Sequence, residues 1–343
     1  MNQSTRIHTR PALLLIGLAM LVCLAAEGLS ADGELELSFV DSQSGQSIPV
    51  RVEFTNARGR AVRLRDIGVG QLGGHFYLPG QATLPLRRGG YRFLLDAGPE
   101  YRTQFGHFEI ERHADDAKQV EMQRFANLDE EGWWAGDIDA DRAGNVLPIV
   151  AATEGIHYVP TTAFRYDGTE WQTTGNSVRR SAKKNDAYAS GRVLGSNAAI
   201  IESSGGDLLV VAEGPMNQPP IEIGAGATVI EILTAAEDAD LRIVALTPTA
   251  WELPVWIASG KLDAVAVLTR QSERKRADDG GLKSDPKGRP RDRSFYPGPQ
   301  GLARWGETIY FHWLNAGVRL SPVAGSGSGV NESPLGTNRA YVY

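Results

Sequence analysis

The sequence predicts a mixed fold, in which an N-terminal antiparallel β-sandwich is followed by an α/β domain built on a largely parallel sheet or barrel. Three observations predict it. Residues 34–124 break into short stretches of alternating polar and apolar residues, the period of half-buried strands. Turn chemistry separates those stretches at the spacing of a sandwich of about 90 residues. From Gly132 onward the pattern changes to short apolar runs alternating with helical stretches, the signature of an α/β domain.

The sandwich strands follow in order. Glu34 to Val40 (ELELSFV) alternates polar and apolar, and Val50 to Phe54 does so again, with Asp41 to Gln46 (DSQSGQ) as turn chemistry between them. Further strands are expected at His75–Leu78, Ala82–Leu86, Tyr91–Leu95, His107–Ile110 and Gln119–Gln123. Gly73-Gly74, Pro79-Gly80 and Gly89-Gly90 punctuate them. In the second part, Val146–Ala152, Ala198–Ile201, Leu208–Ala212, Leu241–Leu246 and Leu262–Leu268 read as buried strands. Thr228–Ala239, Pro254–Ser259 and Trp305–Ala316 read as helices. The charged, Gly- and Pro-rich segment Arg270 to Arg293 reads as a long surface loop.

The first 31 residues read as a secretory signal peptide. Arg6 and Arg10 precede an apolar run of 15 residues, Ala12 to Ala26, and Leu29-Ser30-Ala31 ends in small residues suited to a peptidase. That run is shorter than the roughly 20 residues a membrane-spanning helix needs. The domain organisation expected is a signal peptide over 1–31, a sandwich over 32–125 and an α/β domain over 126–343. The protein is expected to be exported, periplasmic or extracellular, with no stable membrane span. Cleavage removes Cys23, the only cysteine, which excludes a disulfide framework, a cysteine metal site and a cysteine nucleophile from the mature chain. It also takes the formal charge from −6 to −7. That mild acidity argues against nucleic acid as a partner. With 22% charged and 42% hydrophobic residues, the composition is that of an ordinary globular protein.

One stretch, Gly132-Trp133-Trp134-Ala135-Gly136-Asp137-Ile138-Asp139-Ala140-Asp141-Arg142, resembles the first motif of the CehA/McbA-type metallohydrolases, a branch of the PHP (polymerase and histidinol phosphatase) fold. In that family a sandwich ends in a tryptophan and Gly-Asp, followed by His-x-His; here Asp139 and Asp141 stand at the two histidine positions. Leu253 to Asp263 (LPVWIASGKLD) is similar to a strand-and-helix segment of the family. So are Gly288-Arg289-Pro290-Arg291-Asp292, Pro297-Gly298-Pro299 and Ile309 to Gly317. Ala324 to Gly329 with Pro334 to Tyr343 resembles the family's last motif and its close. The resemblance implies a distorted PHP-like α/β barrel. It also implies a further helix and strand beyond Tyr343, so the barrel is expected to lack its last elements and stand open.

What the resemblance implies for chemistry and what the residues offer point in different directions. PHP sites gather histidines and carboxylates from strand ends around metal ions, which activate a bound water. Here the second motif falls at Thr161-Thr162-Ala163, and the last reads Ser326-Gly327-Ser328-Gly329; neither supplies a ligand. A later histidine position falls near Arg270-Gln271. Glu202 matches the family's central glutamate, and Asp207 stands where a histidine follows it. Asp139, Asp141, Glu202 and Asp207 therefore form the candidate metal set, read either as a vestige or as an oxygen-rich site for a hard cation. No cofactor is expected, although a divalent cation (Ca²⁺, Mg²⁺ or Zn²⁺) is the class these carboxylates could take. No residue is assigned a catalytic role.

Other residues carry plainer readings. Asp137 is expected to cap its turn by accepting backbone N–H groups. His157 and His312 read as packed structural histidines, and His75, His107 and His113 fall in the sandwich. Gly325 to Gly329 (GSGSG) offers backbone N–H groups to an anion, without the lysine of a P-loop. The seven tryptophans of the α/β part read mainly as core. Two functions remain open. One is a secreted PHP-like pseudoenzyme that binds a small molecule or a protein partner. The other is a metal-dependent hydrolase of phosphoester, ester or amide bonds with a rebuilt carboxylate site. The export reading has its own check: N-terminal sequencing of mature protein is expected to start within a few residues of Asp32, and an intact Met1 terminus would contradict it.

Overall fold

The computed structural model describes residues 33–343, apart from 63, 65–68, 73, 112–114, 175–186, 204, 225, 271–292 and 298–299. The segment 1–31 read as a signal peptide and nearly all of the stretch read as a long charged loop lie outside the described residues, as does His113. Among the described residues no helix is long and apolar enough to cross a membrane.

The first part is a sandwich of two sheets. Its strands are β1 (Gly33–Asp41), β2 (Val50–Asn56), β3 (Val69–Leu72), β4 (His75–Leu78), β5 (Gln81–Leu86), β6 (Gly89–Asp96), β7 (Gln104–Ile110) and β8 (Asp115–Met122). One sheet has the order β5-β1-β8 and the other β3-β4-β2-β6-β7. Strict alternation puts Leu35, Leu37 and Phe39 of β1 on one face, where they pack with Val52, Phe54, Leu84, Leu95 and Met122. All pairs but one are antiparallel. The exception is β1 with β8, which run parallel. The connection from β7 to β8 passes from one sheet to the other, so β8 is freed from the hairpin geometry that imposes antiparallel pairing.

The second part is a nine-stranded, nearly closed barrel-like sheet. It contains β9 (Trp134–Gly136), β10 (Tyr158–Tyr166), β11 (Trp171–Thr173), β12 (Val193–Ser203), β13 (Gly206–Val211), β14 (Arg242–Ala245), β15 (Ala264–Leu268), β16 (Ser321–Ala324) and β17 (Ala340–Val342). β10 is parallel to β9 and β12, and β15 is parallel to β14 and β16. β13 runs antiparallel between β12 and β14. Among the described residues four α-helices accompany the sheet: α1 (Leu147–Thr153), α2 (Val229–Asp238), α3 (Leu253–Ala258) and α4 (Gly301–Asn315). A reciprocal capping box starts α2, with the Thr228 side chain accepting from Glu231 N–H while Glu231 reaches back to Thr228.

Two sequence expectations are corrected. Val146–Ala152 is a helix and not a strand: Pro148 sits in the first turn, where its missing N–H costs nothing. The branched residues Ile149 and Val150 had suggested a strand. The open barrel is not found either. The segment 137–141 lies between β10 and the chain leaving β16, with Asp137 N–H bonded to Tyr158 O, Ile138 N–H to Ala324 O and Asp141 N–H to Ser328 O. Parallel bridges join Ala140 to both Thr161 and Ser328.

Alternation also separates inside from outside. Ala199, Ile201, Leu208, Val210, Ile243 and Val265 pack against the helices through Leu233, Ala236, Leu253 and Trp256. Ala198, Ile200, Leu209, Val211, Val244, Ala264, Ala266 and Ile138 form a separate cluster without helical residues, which is the barrel interior.

Sandwich and barrel meet on buried charge. The Glu154 carboxylate, just after α1, accepts from Tyr77 Oη at 3.0 Å and pairs with Arg51 at 3.0 Å. Arg51 also pairs with Asp96 at 2.9 Å. Burial raises the pKa of Glu154, with the Arg51 charge working against that rise. Replacing one partner strands the other charge in a dry place, at a cost of about 3–5 kcal/mol. Arg51→Leu is therefore expected to lower stability by about that amount in urea unfolding, and Arg51→Leu/Glu154→Leu to recover most of it. A loss no smaller in the double variant would show that the pair is not coupled.

Candidate functional site

The parallel strands β10, β12, β14 and β15 all point their C-terminal ends at one rim, the place where α/β sheets and barrels present ligand-binding groups. Glu202 near the end of β12 and Asp207 near the start of β13 are direct cross-strand partners. They share the face of Ile200 and Leu209, so both project from the inner side of the sheet. Asp139 and Asp141 arrive on the closing segment 137–141. Arg165, near the end of β10, and Arg270, just after β15, complete the rim.

Arginines answer the carboxylates there. Arg270 grips Asp139 with two bonds, Nε to Oδ2 at 2.7 Å and Nη2 to Oδ1 at 2.5 Å, so both carboxylate oxygens are engaged. Burial by itself would lower the pKa of Arg270. The Asp139 bonds and the charges of Asp139, Asp141 and Asp207 outweigh it, and the net shift is upward. Arg165 donates to Glu202 through Nη1. Among the described residues, no three His, Cys, Asp or Glu side chains gather closely enough to hold a metal ion. The metal centre implied by the resemblance is thus poorly matched by this donor set. It has no imidazole, its fully engaged carboxylate faces a guanidinium, and Glu202 faces another.

The histidines are placed elsewhere. His157 is buried, accepting from Ala135 N–H at Nδ1 (3.0 Å) and pairing with Asp129 through Nε2 (2.9 Å), with Trp134 against its ring at 5.1 Å. Both ring nitrogens are used in joining the linker to β9. The pKa of Asp129 is lowered, chiefly by that hydrogen bond. His312 is exposed in the last turn of α4, and His107 is exposed on β7. Thr161, Thr162 and Ala163 are buried in β10.

The GSGSG loop does cradle an anion, and that anion belongs to the chain. Asp137 is fully buried and accepts from Ser326 N–H (3.0 Å), Gly336 N–H (2.8 Å), Asp139 N–H (3.1 Å) and the Ser326 hydroxyl. The carboxylate ties the closing segment to the last loop and to the approach of β17. Sequence reading placed Asp137 in a turn cap but missed its partners, which lie nearly two hundred residues downstream. It missed Arg165 and Arg270 as well. The spacing of β10 against β12 could have found Arg165, since an arginine and a glutamate end neighbouring parallel strands.

No family model and no curated protein matches the chain. Among solved structures it is similar to the Bacillus anthracis TIE protein at 20% identity with a TM-score of 0.22, over 32% of this chain and 19% of that one. It is also similar to a pilus-presented adhesin at 14% identity with a TM-score of 0.21, over 29% of this chain and 28% of the adhesin. The chain spans less than a third of the length of either protein, and likenesses this slight carry no argument about the site.

Burial, the largest influence on Asp137, pushes its pKa from 3.8 up to about 6, although the surrounding donors favour the charged form. Between those two values the folded chain binds this proton more tightly than the unfolded chain. The contribution of Asp137 to stability therefore falls as pH rises from about 4 to about 6, then levels off. The fall amounts to about 3 kcal/mol. Asp137→Asn lacks this titration, so wild-type stability minus the variant's, from urea unfolding across pH, is expected to fall over that window. A difference that stays level or rises would refute the assignment.

Proposed function

We propose that this chain is an exported PHP-like pseudoenzyme that binds a small molecule or a protein partner and has given up metal-dependent hydrolysis. One observation carries the reading: at the rim where the resemblance expects metal ligands, Asp139 and Glu202 are committed to Arg270 and Arg165. A metal ion competing for Asp139 would have to displace a bidentate guanidinium and then stand beside that positive charge. Carboxylates at the former histidine positions have a shorter reach than imidazoles, which further weakens a site sized for nitrogen donors. Export rests on the N-terminal charged and apolar segments.

Elemental analysis of the purified mature protein after dialysis tests the reading, together with assays on phosphomonoester, carboxylic ester and amide substrates. No tight zinc or manganese is expected, and no turnover above background. Asp139→His/Asp141→His is expected to remain inactive, because the second and last motifs still supply no donors. Stoichiometric zinc, or metal-dependent turnover abolished by Asp139→Ala, would establish instead a hydrolase with a rebuilt carboxylate site.

A further inference from the structure

Deepening the pseudoenzyme reading and resting on it, we infer that Arg270 is a covalently tethered replacement for the metal cation, and that the missing side chain of Gly327 in the last motif is the space it occupies. The resemblance implies Ser-Asp-x-His for the last motif, and this chain has Gly327 and Gly329 at the positions of its acid and its histidine. A Cβ on Gly327 would lie 2.5 Å from the Arg270 Cβ and 3.0 Å from Asn331 Nδ2, with φ at +68°. A side chain at 327 and the observed Arg270 thus exclude each other. A Cβ on Gly329 would run into the Asp141 carbonyl, and one on Gly325 would run into Asp139. Gly327, a position that no longer supplies a ligand, leaves the room beside Arg270, while Gly325 leaves it beside Asp139.

The backbone fixes this arrangement from both sides. Gly325 N–H bonds Leu268 O (2.9 Å) at the end of β15, while Gly327 N–H bonds Asp139 O (2.7 Å). The glycine loop therefore lies between the strand that delivers Arg270 and the segment that delivers Asp139. The Asp139 side chain is 12% exposed and that of Arg270 24%, so the pair is held largely away from water. Asp141 and Asp207 add their charge to the field that stabilises the guanidinium. The guanidinium thus binds the Asp139 carboxylate directly and feels the charge of two further carboxylates, the kind of charge compensation a cation supplies in a metal centre. Unlike an ion, it cannot dissociate, and its two parallel N–H bonds fix its orientation.

Thermal unfolding of the full mature chain tests this, with EDTA, Mg²⁺ and Zn²⁺ as the probes. The wild type is expected to melt at the same temperature in all three. Arg270→Gly, which removes both charge and Cβ, is expected to melt lower by on the order of 5 °C. Mg²⁺ or Zn²⁺ is expected to restore part of that loss, because a cation binding only the folded variant stabilises it by mass action. Arg270→Gly/Asp139→Asn is expected to regain most of the loss without any cation, since it leaves no stranded carboxylate. Gly327→Ala is expected to cost less in the Arg270→Gly background than in the wild type. Should Arg270→Gly fail to fold, Arg270→Leu/Asp139→Asn is expected to fold and Arg270→Lys to melt between the wild type and Arg270→Leu.

An unchanged melting temperature in Arg270→Gly would overturn the inference. So would a wild type stabilised by Mg²⁺ or Zn²⁺ as much as the variant, or an Asp139→Asn change that restores nothing. Wild-type turnover bears only on the pseudoenzyme reading, whereas the coupling of positions 270, 139 and 327 bears only on this one.

Discussion

The barrel depends on one buried carboxylate. Asp137 collects three backbone N–H groups and a hydroxyl from three separate stretches of chain, and nothing else of its size could satisfy them all. An unmet buried donor costs about 1–3 kcal/mol, so four converging donors define a site that only an acceptor-only group fits. The cost is visible in its raised pKa: burial disfavours the charge that the donors need. With Asp137 in place, the closing segment is pinned against the last loop, and Asp139 and Asp141 are carried to the rim. The sandwich lies outside this constraint, whereas the rim chemistry does not.

At that rim two arginines face four carboxylates, and Asp139 and Glu202 are paired within the chain. Arg165 comes from a strand end neighbouring that of its carboxylate, so parallel topology brings that pair close. Arg165 and Glu202 end adjacent strands, while Arg270 and Asp139 face each other across the glycine loop.

How much was legible follows from the range of each interaction. The sandwich strands came through because alternation is local: Glu34 to Val40 alternates buried and more exposed residues along β1 and is read directly from its own residues and the turn after it. Helix α2 came through for the same reason, with Thr228 and Glu231 marking its start. Helix α1 failed because Ile149 and Val150 favour strands locally, and only burial of its whole face against the barrel decides for helix. The antiparallel direction of β13 is set by its short turn from β12, a feature that apolar runs do not report. Of the site, Asp139, Asp141, Glu202 and Asp207 were placed by collinear motifs; Glu202 and Asp207 are cross-strand partners, and Asp139 is held by Arg270. Their partners were illegible because Arg270 opens a charged stretch that reads as solvated loop, and because a salt bridge spanning 131 residues leaves no local trace.

Gly98 gives the molecule's two halves a different kind of bond. The backbone there turns at φ +89° so close to the end of α1 that a Cβ would lie 2.6 Å from Thr153 O. This contact is main chain on main chain, beside the carboxylate that Arg51 and Tyr77 share. A barrel freed of its sandwich would present Glu154 as a bare charge on an apolar floor of Leu147, Val150 and Ile156, where Tyr77 now packs. The sandwich is therefore a poor candidate for shuffling between proteins as a detachable module. Any replacement would have to bring an arginine, a tyrosine and a residue without a side chain to the same three points.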